Sequence, residues 1–366
     1  MEADGWMGRH ETALRAGGRP ADTAGNVKPH PLELTREQVL AYRRNVQALD
    51  RRLPAGPESL HRAAWAGLTD SGPRAGLLSI HARVAGTEPS TWEDPSLVQV
   101  WGPRFSAYVI ARPDIPIFTL GRLPDGGLPL QRAETTAARL RDFLDGRTMT
   151  YGQAGHAMGV SPNSLRYAAP TGTVLIRWEG ARQPTIWTIP APTMTASEAR
   201  LELARRYLHA FGVGTSSSYA QWAGIKPRRA RAAFDALETS LIPARTPIGE
   251  GWILAADEPD FHASPSAPAE ARLLPSGDTY FLLQGADRAL LVPDAARRAE
   301  LWTPRVWPGA VLAGGDIVGV WRRAGAEVTV QAWRSLRSPE RAAIEAEASG
   351  LPLPDLRTSI RVRWEP

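Results

Sequence analysis

The sequence predicts an α+β multidomain protein, and three observations carry that expectation. The chain has 366 residues, more than one ordinary domain of roughly 150 holds. Two successive stretches show the same order of elements, namely helix, helix, tight turn, helix and β-hairpin. A run of short strand candidates with one late helix follows them. With 43% hydrophobic residues, 22% charged residues and a net charge of +5, the chain can bury packed cores and is not globally disordered. It has no cysteine, which excludes disulfides, thiolate zinc sites, iron–sulfur clusters and a cysteine nucleophile. No apolar run approaches the roughly 18 residues that span a bilayer, and the N-terminus is not a basic-then-apolar signal. A cytoplasmic protein with no membrane partner is expected.

Taken in order, residues 1–30 show no usable period and end at the loop-like Lys28-Pro29-His30-Pro31, so they read as a disordered tail. Thr35 with Gln38 forms a capping box for a helix carrying Val39, Leu40, Val46 and Leu49. Helices over 57–65 and 74–84 follow, separated by a turn-bounded segment, and the β-branched and aromatic residues of 105–110 predict a strand. Residues 31–123 make a first unit.

The second unit, 124–192, begins after the turn Pro124-Asp125-Gly126-Gly127. It comprises helices over 133–144 and 148–158, a helix capped by Ser161-Pro162, and strands over 173–179 and 185–189. That order is the order of a winged helix. In the third unit, 193–262, it recurs: helices over 198–211 and 216–223, a turn at Gly224, a helix opened by Pro227, and a hairpin from 241–245 and 251–255. Residues 260–270 are linker-like. The last unit, 270–366, offers strands over 280–283, 289–292, 317–321 and 328–333 and a helix over 339–349.

Of the 43 basic residues 41 are arginine, a bias that a GC-rich genome also produces, so position says more than the total. Residues 121–190 hold 8 basic and 5 acidic side chains, the largest local excess. Lys226, Arg228, Arg229 and Arg231 cluster where the third unit's last helix begins, and Asn163, Ser164 and Arg166 occupy the matching place in the second. Such clusters at helix starts suit phosphates, and these seven residues are candidate DNA contacts. A solvated helix face is the competing reading.

The segments from Ala66-Gly67-Leu68-Thr69-Asp70-Ser71-Gly72-Pro73-Arg74 to His81-Ala82-Arg83, and from Asp94 to Arg104, are similar to the winged-helix DNA glycosylases of the AlkZ/YcaQ-like family. So are Arg272-Leu273-Leu274-Pro275, Asp278-Thr279-Tyr280 and Asp316-Ile317-Val318-Gly319-Val320-Trp321-Arg322. The resemblance spans roughly 33–348. It implies three tandem winged-helix units followed by a small C-terminal β-barrel-like domain, acting as a monomer on damaged double-stranded DNA held in a basic channel. The activity it implies is release of alkylated or crosslinked bases by N-glycosidic bond hydrolysis, with no cofactor.

The family's glutamine–apolar–glutamine or glutamine–apolar–aspartate triplet is replaced here by Thr69-Asp70-Ser71. In an extended segment the outer residues share a face, so Thr69 and Ser71 take the water-positioning places and Asp70 points away. Hydroxyls orient a water without taking its proton, a role open to Asp70. A one-residue shift would bring Asp70 onto the site, though the spacing from Ser71 to Ala82-Arg83 argues against it. The family's arginine–glycine–threonine–leucine–histidine strand appears as Arg104-Phe105-Ser106-Ala107-Tyr108. Arg104 and Tyr108 therefore become candidate DNA contacts, Tyr108 through a phosphate or a stacked base, or else as an ordinary strand tyrosine. The seven histidines have no ligand spacing, so no metal is expected. Two functions stay open: a repair glycosylase, and a non-catalytic winged-helix protein that recognises DNA structure or damage or regulates transcription.

Overall fold

The computed structural model describes residues 30–72, 74–180, 182–263, 270–354 and 359–365. The tail expected over 1–30 lies, but for its last residue, outside them.

Strand β1 (Leu32–Glu33) leads into α1 (Arg36–Val46). The capping box forms as its residues predict: the Gln38 amide donates to Thr35 Oγ1 at 3.2 Å and the Thr35 amide to Gln38 Oε1 at 2.9 Å. Next come α2 (Pro57–Ala63), β2 (Leu68–Thr69), α3 (Ala75–Arg83), β3 (Leu97–Trp101), β4 (Ala107–Ala111) and α4 (Ile115–Thr119). Helix α5 (Gly127–Leu144), β5 (Met149–Thr150) and α6 (Tyr151–Ala157) precede a ten-residue 3-10 helix, Pro162–Thr171, where an α-helix start was expected; Pro170 lies inside it. A hairpin of β6 (Val174–Arg177) and β7 (Thr185–Thr188) closes this stretch. Helices α7 (Ala196–Phe211), α8 (Ser216–Ala223) and α9 (Pro227–Ala236) then lead to the hairpin β8 (Leu241–Thr246) and β9 (Gly249–Leu254) and to α10 (Glu258–His262). The last part contains β10 (Arg272–Leu274), α11 (Asp287–Leu291), α12 (Ala295–Leu301), β11 (Gly309–Ala313), β12 (Asp316–Ala324), β13 (Glu327–Ala332), α13 (Ser338–Ser349) and β14 (Arg361–Glu365).

Two sheets cross the expected unit boundaries. A six-stranded sheet runs β2-β4-β3-β6-β7-β5, so the junction at 123–124 is bridged where Gln99 of β3 faces Ile176 of β6. Strand β1 lies parallel to β8, with Leu32 opposite Ala244, which ties the start of the first unit to the hairpin of the third. Residues Pro31–Pro366 accordingly form one compact unit. Its largest core gathers the aromatic rings of Tyr207, Phe211, Tyr219 and Trp222, whose centroids lie 5.2–6.3 Å apart.

The C-terminal part departs from expectation in three ways. Residues 280–283 were expected as a strand, but the chain turns there in a 3-10 helix, Thr279–Phe281, with all three side chains buried. The second expected strand, 289–292, is instead covered largely by helix α11. No barrel closes among the described residues: the sheet is open, in the order β10-β11-β12-β13-β14. Helix α13 explains this, because Ile344 and Ala348 pack against Leu273, Val311, Val328 and Val330 and cover the face that a barrel would fold inward.

A buried ion pair joins this part to the first. Arg83 of α3 donates from both terminal nitrogens to Asp278 at 2.8 Å, and Gln47 and Ser79 complete the shell. Removing one partner leaves an uncompensated buried charge, a loss of about 3–5 kcal/mol.

Candidate active site

Strand β2 is only two residues long, and its end sets the fate of the triplet. Thr69 pairs with Tyr108 of β4, and the Asp70 amide still donates to Ala107 O at 2.8 Å before the chain bends at Ser71 and Gly72. The bend breaks the alternation that would place Thr69 and Ser71 on one face.

Thr69 is buried, and its hydroxyl donates to Gly277 O at 2.5 Å. That bond spends the hydroxyl's one proton on the C-terminal part and turns the side chain away from open space. The water-positioning role expected of Thr69 is corrected on this ground. Ser71 is exposed and lines a cavity.

Asp70 is 1% exposed. The Gly76 amide, in the first turn of α3, donates to its Oδ1 at 2.8 Å, and Gln99 Nε2 donates to Oδ2 at 2.5 Å. Gly76 fits here because any Cβ would stand 2.7 Å from Val109 and 3.3 Å from Asp70 Oδ1. Burial pushes the Asp70 carboxyl up to about 7, against the pull of the Gly76 and Gln99 donors and of the Arg74 and Arg177 charges. Both arginines flank Trp92, Arg177 at 4.8 Å and Arg74 at 5.5 Å from the ring centroid.

Gln99 is not among the residues that the sequence pattern marks, although it carries the link to the cavity. Its Oε1 accepts from the Trp178 amide at 2.6 Å, so a single buried side chain spans from Asp70 to the β6–β7 connection. The available signal was a lone amide inside the apolar run Leu97-Val98-Gln99-Val100-Trp101, every residue of which is buried. A polar group in a central strand requires a partner there.

The cavity measures about 500 Å³ and opens above the β3–β6 junction. Ser71, Trp101, Tyr151 and Trp178 line it together with Arg104, Phe105, Arg166 and Arg182. Arg104 and Phe105 both hold left-handed backbone, with φ of 56° and 59°. For residues other than glycine this costs about 1–2 kcal/mol each, and it turns the β3–β4 tip toward the cavity.

A model of the AlkZ-like DNA glycosylases matches residues 62–352. The chain belongs to this family. Membership gives it DNA as substrate and DNA repair as its setting. Among solved structures, the Streptomyces sahachiroi DNA glycosylase AlkZ is similar in fold, with a TM-score of 0.72 at 16% identity, and the match covers 91% of this chain and 100% of that one. No curated protein matches. Among the described residues no helix of this glycosylase-family chain is long and apolar enough to cross a membrane.

The expected DNA contacts divide sharply. Arg104, Asn163, Lys226, Arg228 and Arg231 are exposed, and Arg166 is half-buried at the cavity wall. Gly224, in the turn before α9, would bring a Cβ to 3.1 Å from the Arg104 amide, so the α8–α9 turn and the β3–β4 tip are close neighbours. Ser164 donates its hydroxyl to Ser161 O at 2.6 Å, a local turn contact.

Two assignments are corrected. Tyr108 is 0% exposed beneath Gly102 and Gly67, too deep to reach a phosphate or stack on a base. Arg229 is also buried: its guanidinium donates to Arg122 O at 3.2 Å and to Leu123 O, and pairs with Asp125 at 3.2 Å. It pins α9 to the segment before α5. Arg132 adds a basic group outside the clusters expected from the sequence, with its Cζ 3.5 Å from the Tyr167 ring centroid, and Tyr167 meets Phe105 edge-on at 5.7 Å.

Proposed function

We propose that the protein excises alkylated or crosslinked bases from damaged double-stranded DNA by hydrolysing the N-glycosidic bond, acting as a monomer. The observation that carries this reading is the Asp70–Gln99 pair, a buried carboxylate bound through one amide to the wall of an arginine-rich cavity.

An alkylated purine is already cationic and leaves as a neutral base, so its departure needs no acid. The C1′–N bond breaks, positive charge develops on the sugar, and water adds at C1′ and gives its proton to solvent. Ionised Asp70 favours that charge through the low-dielectric protein without touching the substrate. Ser71, at the cavity, orients the water.

The stretches 31–123, 124–192 and 193–262 are read as winged-helix units. Their order of helices and hairpins supports this, with the 3-10 helix Pro162–Thr171 and helix α9 as the elements that face DNA. Arg104, Arg166, Lys226, Arg228 and Arg231 would meet phosphates, and a cytoplasmic, nucleoid-associated location suits this role.

The test is release of a methylated purine from a duplex by the purified chain. Release above background, abolished in Asp70→Asn, is expected. The burial of Asp70 and the commitment of Thr69 to Gly277 favour a second reading, a family member that binds DNA without chemistry. Undiminished DNA binding with no release at micromolar protein would select it.

A further inference from the structure

We propose that the far end of β12 docks an extended acidic peptide of a partner protein, which adds to the free strand edge and places one apolar side chain in the cavity beside it. This cavity shares no lining residue with the one at Ser71, and the proposal does not rest on base excision.

The backbone gives the first argument. Strand β11 starts at Gly309, which faces Trp321, so residues 322–324 of β12 pair with β13 alone among the described residues. Pro308 ends the ladder there, because it has no amide hydrogen to donate. Unpaired backbone groups along an edge are a template for another strand, and a peptide backbone matches their spacing where a sugar–phosphate chain does not.

The second argument is the apolar space. A cavity of about 330 Å³ opens where β11 and β12 part, lined by Val306 and Trp307 from one segment, Trp321 from the other, and Leu78 of α3. Val306 is 70% exposed. Trp321 is 5% exposed and its Nε1 already donates to Leu274 O at 2.8 Å, so it offers neither an open ring face for a base nor a donor for a phosphate. The surface calls for a branched or aromatic side chain.

Charge selects the rest of the partner. Arg322 and Arg323 also line the cavity, and none of the described residues lining it is acidic. Consecutive residues of a strand point to opposite faces, so the two guanidiniums bracket the free edge. Arg323 is steadied by Gly325 O, to which its Nη1 donates at 2.8 Å, and the Arg288 guanidinium lies 5.4 Å from the Trp307 ring centroid. An added strand with carboxylates on both sides of one apolar residue meets all of these groups.

Fluorescence polarisation of the intact chain with the labelled peptide Asp-Asp-Leu-Asp-Asp tests the surface. Saturable binding is expected, at least about tenfold weaker for Asn-Asn-Leu-Asn-Asn and for Asp-Asp-Ser-Asp-Asp, since a charge-assisted hydrogen bond or a buried leucine side chain carries about that factor. Arg322→Glu and Val306→Asp are each expected to weaken the acidic peptide by about tenfold or more. Both side chains are exposed, so the variants keep the fold. A neutral peptide that binds as tightly as the acidic one, or an Arg322→Glu variant that binds as the parent does, would overturn the surface. The acidic peptide N-methylated at every amide is expected not to bind; undiminished binding would overturn strand addition. No saturable peptide binding, with a DNA duplex held more weakly by both variants, would assign the surface to DNA and overturn the proposal. The peptide measurements involve no lesion and no bond cleavage, so absent base release leaves the surface standing.

Discussion

Gln99 holds Asp70 through a 2.5 Å hydrogen bond from its amide nitrogen, and the two residues lie 29 positions apart, Gln99 on β3 and Asp70 just past the end of β2, with β4 between those strands. Because Gln99 also accepts from the Trp178 amide, its orientation is determined: the nitrogen faces the carboxylate and the oxygen faces the backbone donor. Both Asp70 oxygens are acceptors, of Gly76 and of Gln99, so the shell serves the ionised form while burial opposes it.

Stability should therefore depend on pH through Asp70. Its folded value of about 7 stands above the ordinary 3.8, so the folded state holds a proton that the unfolded chain has released. Stability from this group is whole below about pH 4 and is lost as pH rises through 7. Between pH 5 and 7.5 the parent chain should lose on the order of 2 kcal/mol more than Asp70→Asn in urea unfolding. Parallel curves would remove the assignment.

Base excision should follow the opposite limb. The ionised carboxylate favours positive charge on the sugar, so the rate should climb between pH 6 and 8 and level off above. The pH profile of single-turnover release measures this, and a flat profile would exclude Asp70 from the chemistry.

Gln99→Leu should lower stability by about 1–3 kcal/mol, since the Trp178 amide loses its acceptor and Asp70 its side-chain donor. The same loss raises the Asp70 value further, so the excision profile should move toward higher pH. A destabilised variant with an unmoved profile would reduce Gln99 to a packing element.

Thr69 and Ser71 should separate cleanly. Thr69→Val removes the bond to Gly277 and should cost about 1 kcal/mol while excision proceeds at the parent rate. Ser71→Ala should keep the melting temperature and slow excision. Slowed excision in both variants would restore the extended-triplet geometry.

The arginines of α9 provide a control within one helix. Arg228→Ala with Arg231→Ala should weaken DNA and lower the slope of log affinity on log salt by about 2, one for each phosphate no longer neutralised. Arg229→Ala should destabilise the fold by releasing Asp125, Arg122 O and Leu123 O, and leave that slope unchanged. Equal slopes for all three would mean that Arg229 reaches solvent.

Much of the architecture was legible because it is written locally. The Thr35–Gln38 box, the Pro227 helix start and the β8–β9 hairpin depend on residues within a few positions of one another, and each forms where its residues predict. Strands β3, β10, β11 and β14 have no such local mark. The first and third are buried along their whole length, so they lack the alternation of a half-solvated strand.

The sequence by itself determined the absence of thiol chemistry, the doubled order of helices and hairpin, the family and the triplet at which it departs. Only the tertiary structure decided what each of those residues does. Thr69 is claimed by Gly277, Asp70 by Gly76 and Gln99, and Arg229 by the segment before α5, partners that lie between 6 and 208 positions away. Helix and strand propensities act over a turn or a pleat, whereas desolvation and the choice of hydrogen-bond partner arise when distant segments meet. A buried aspartate that titrates near neutrality is a property of that meeting.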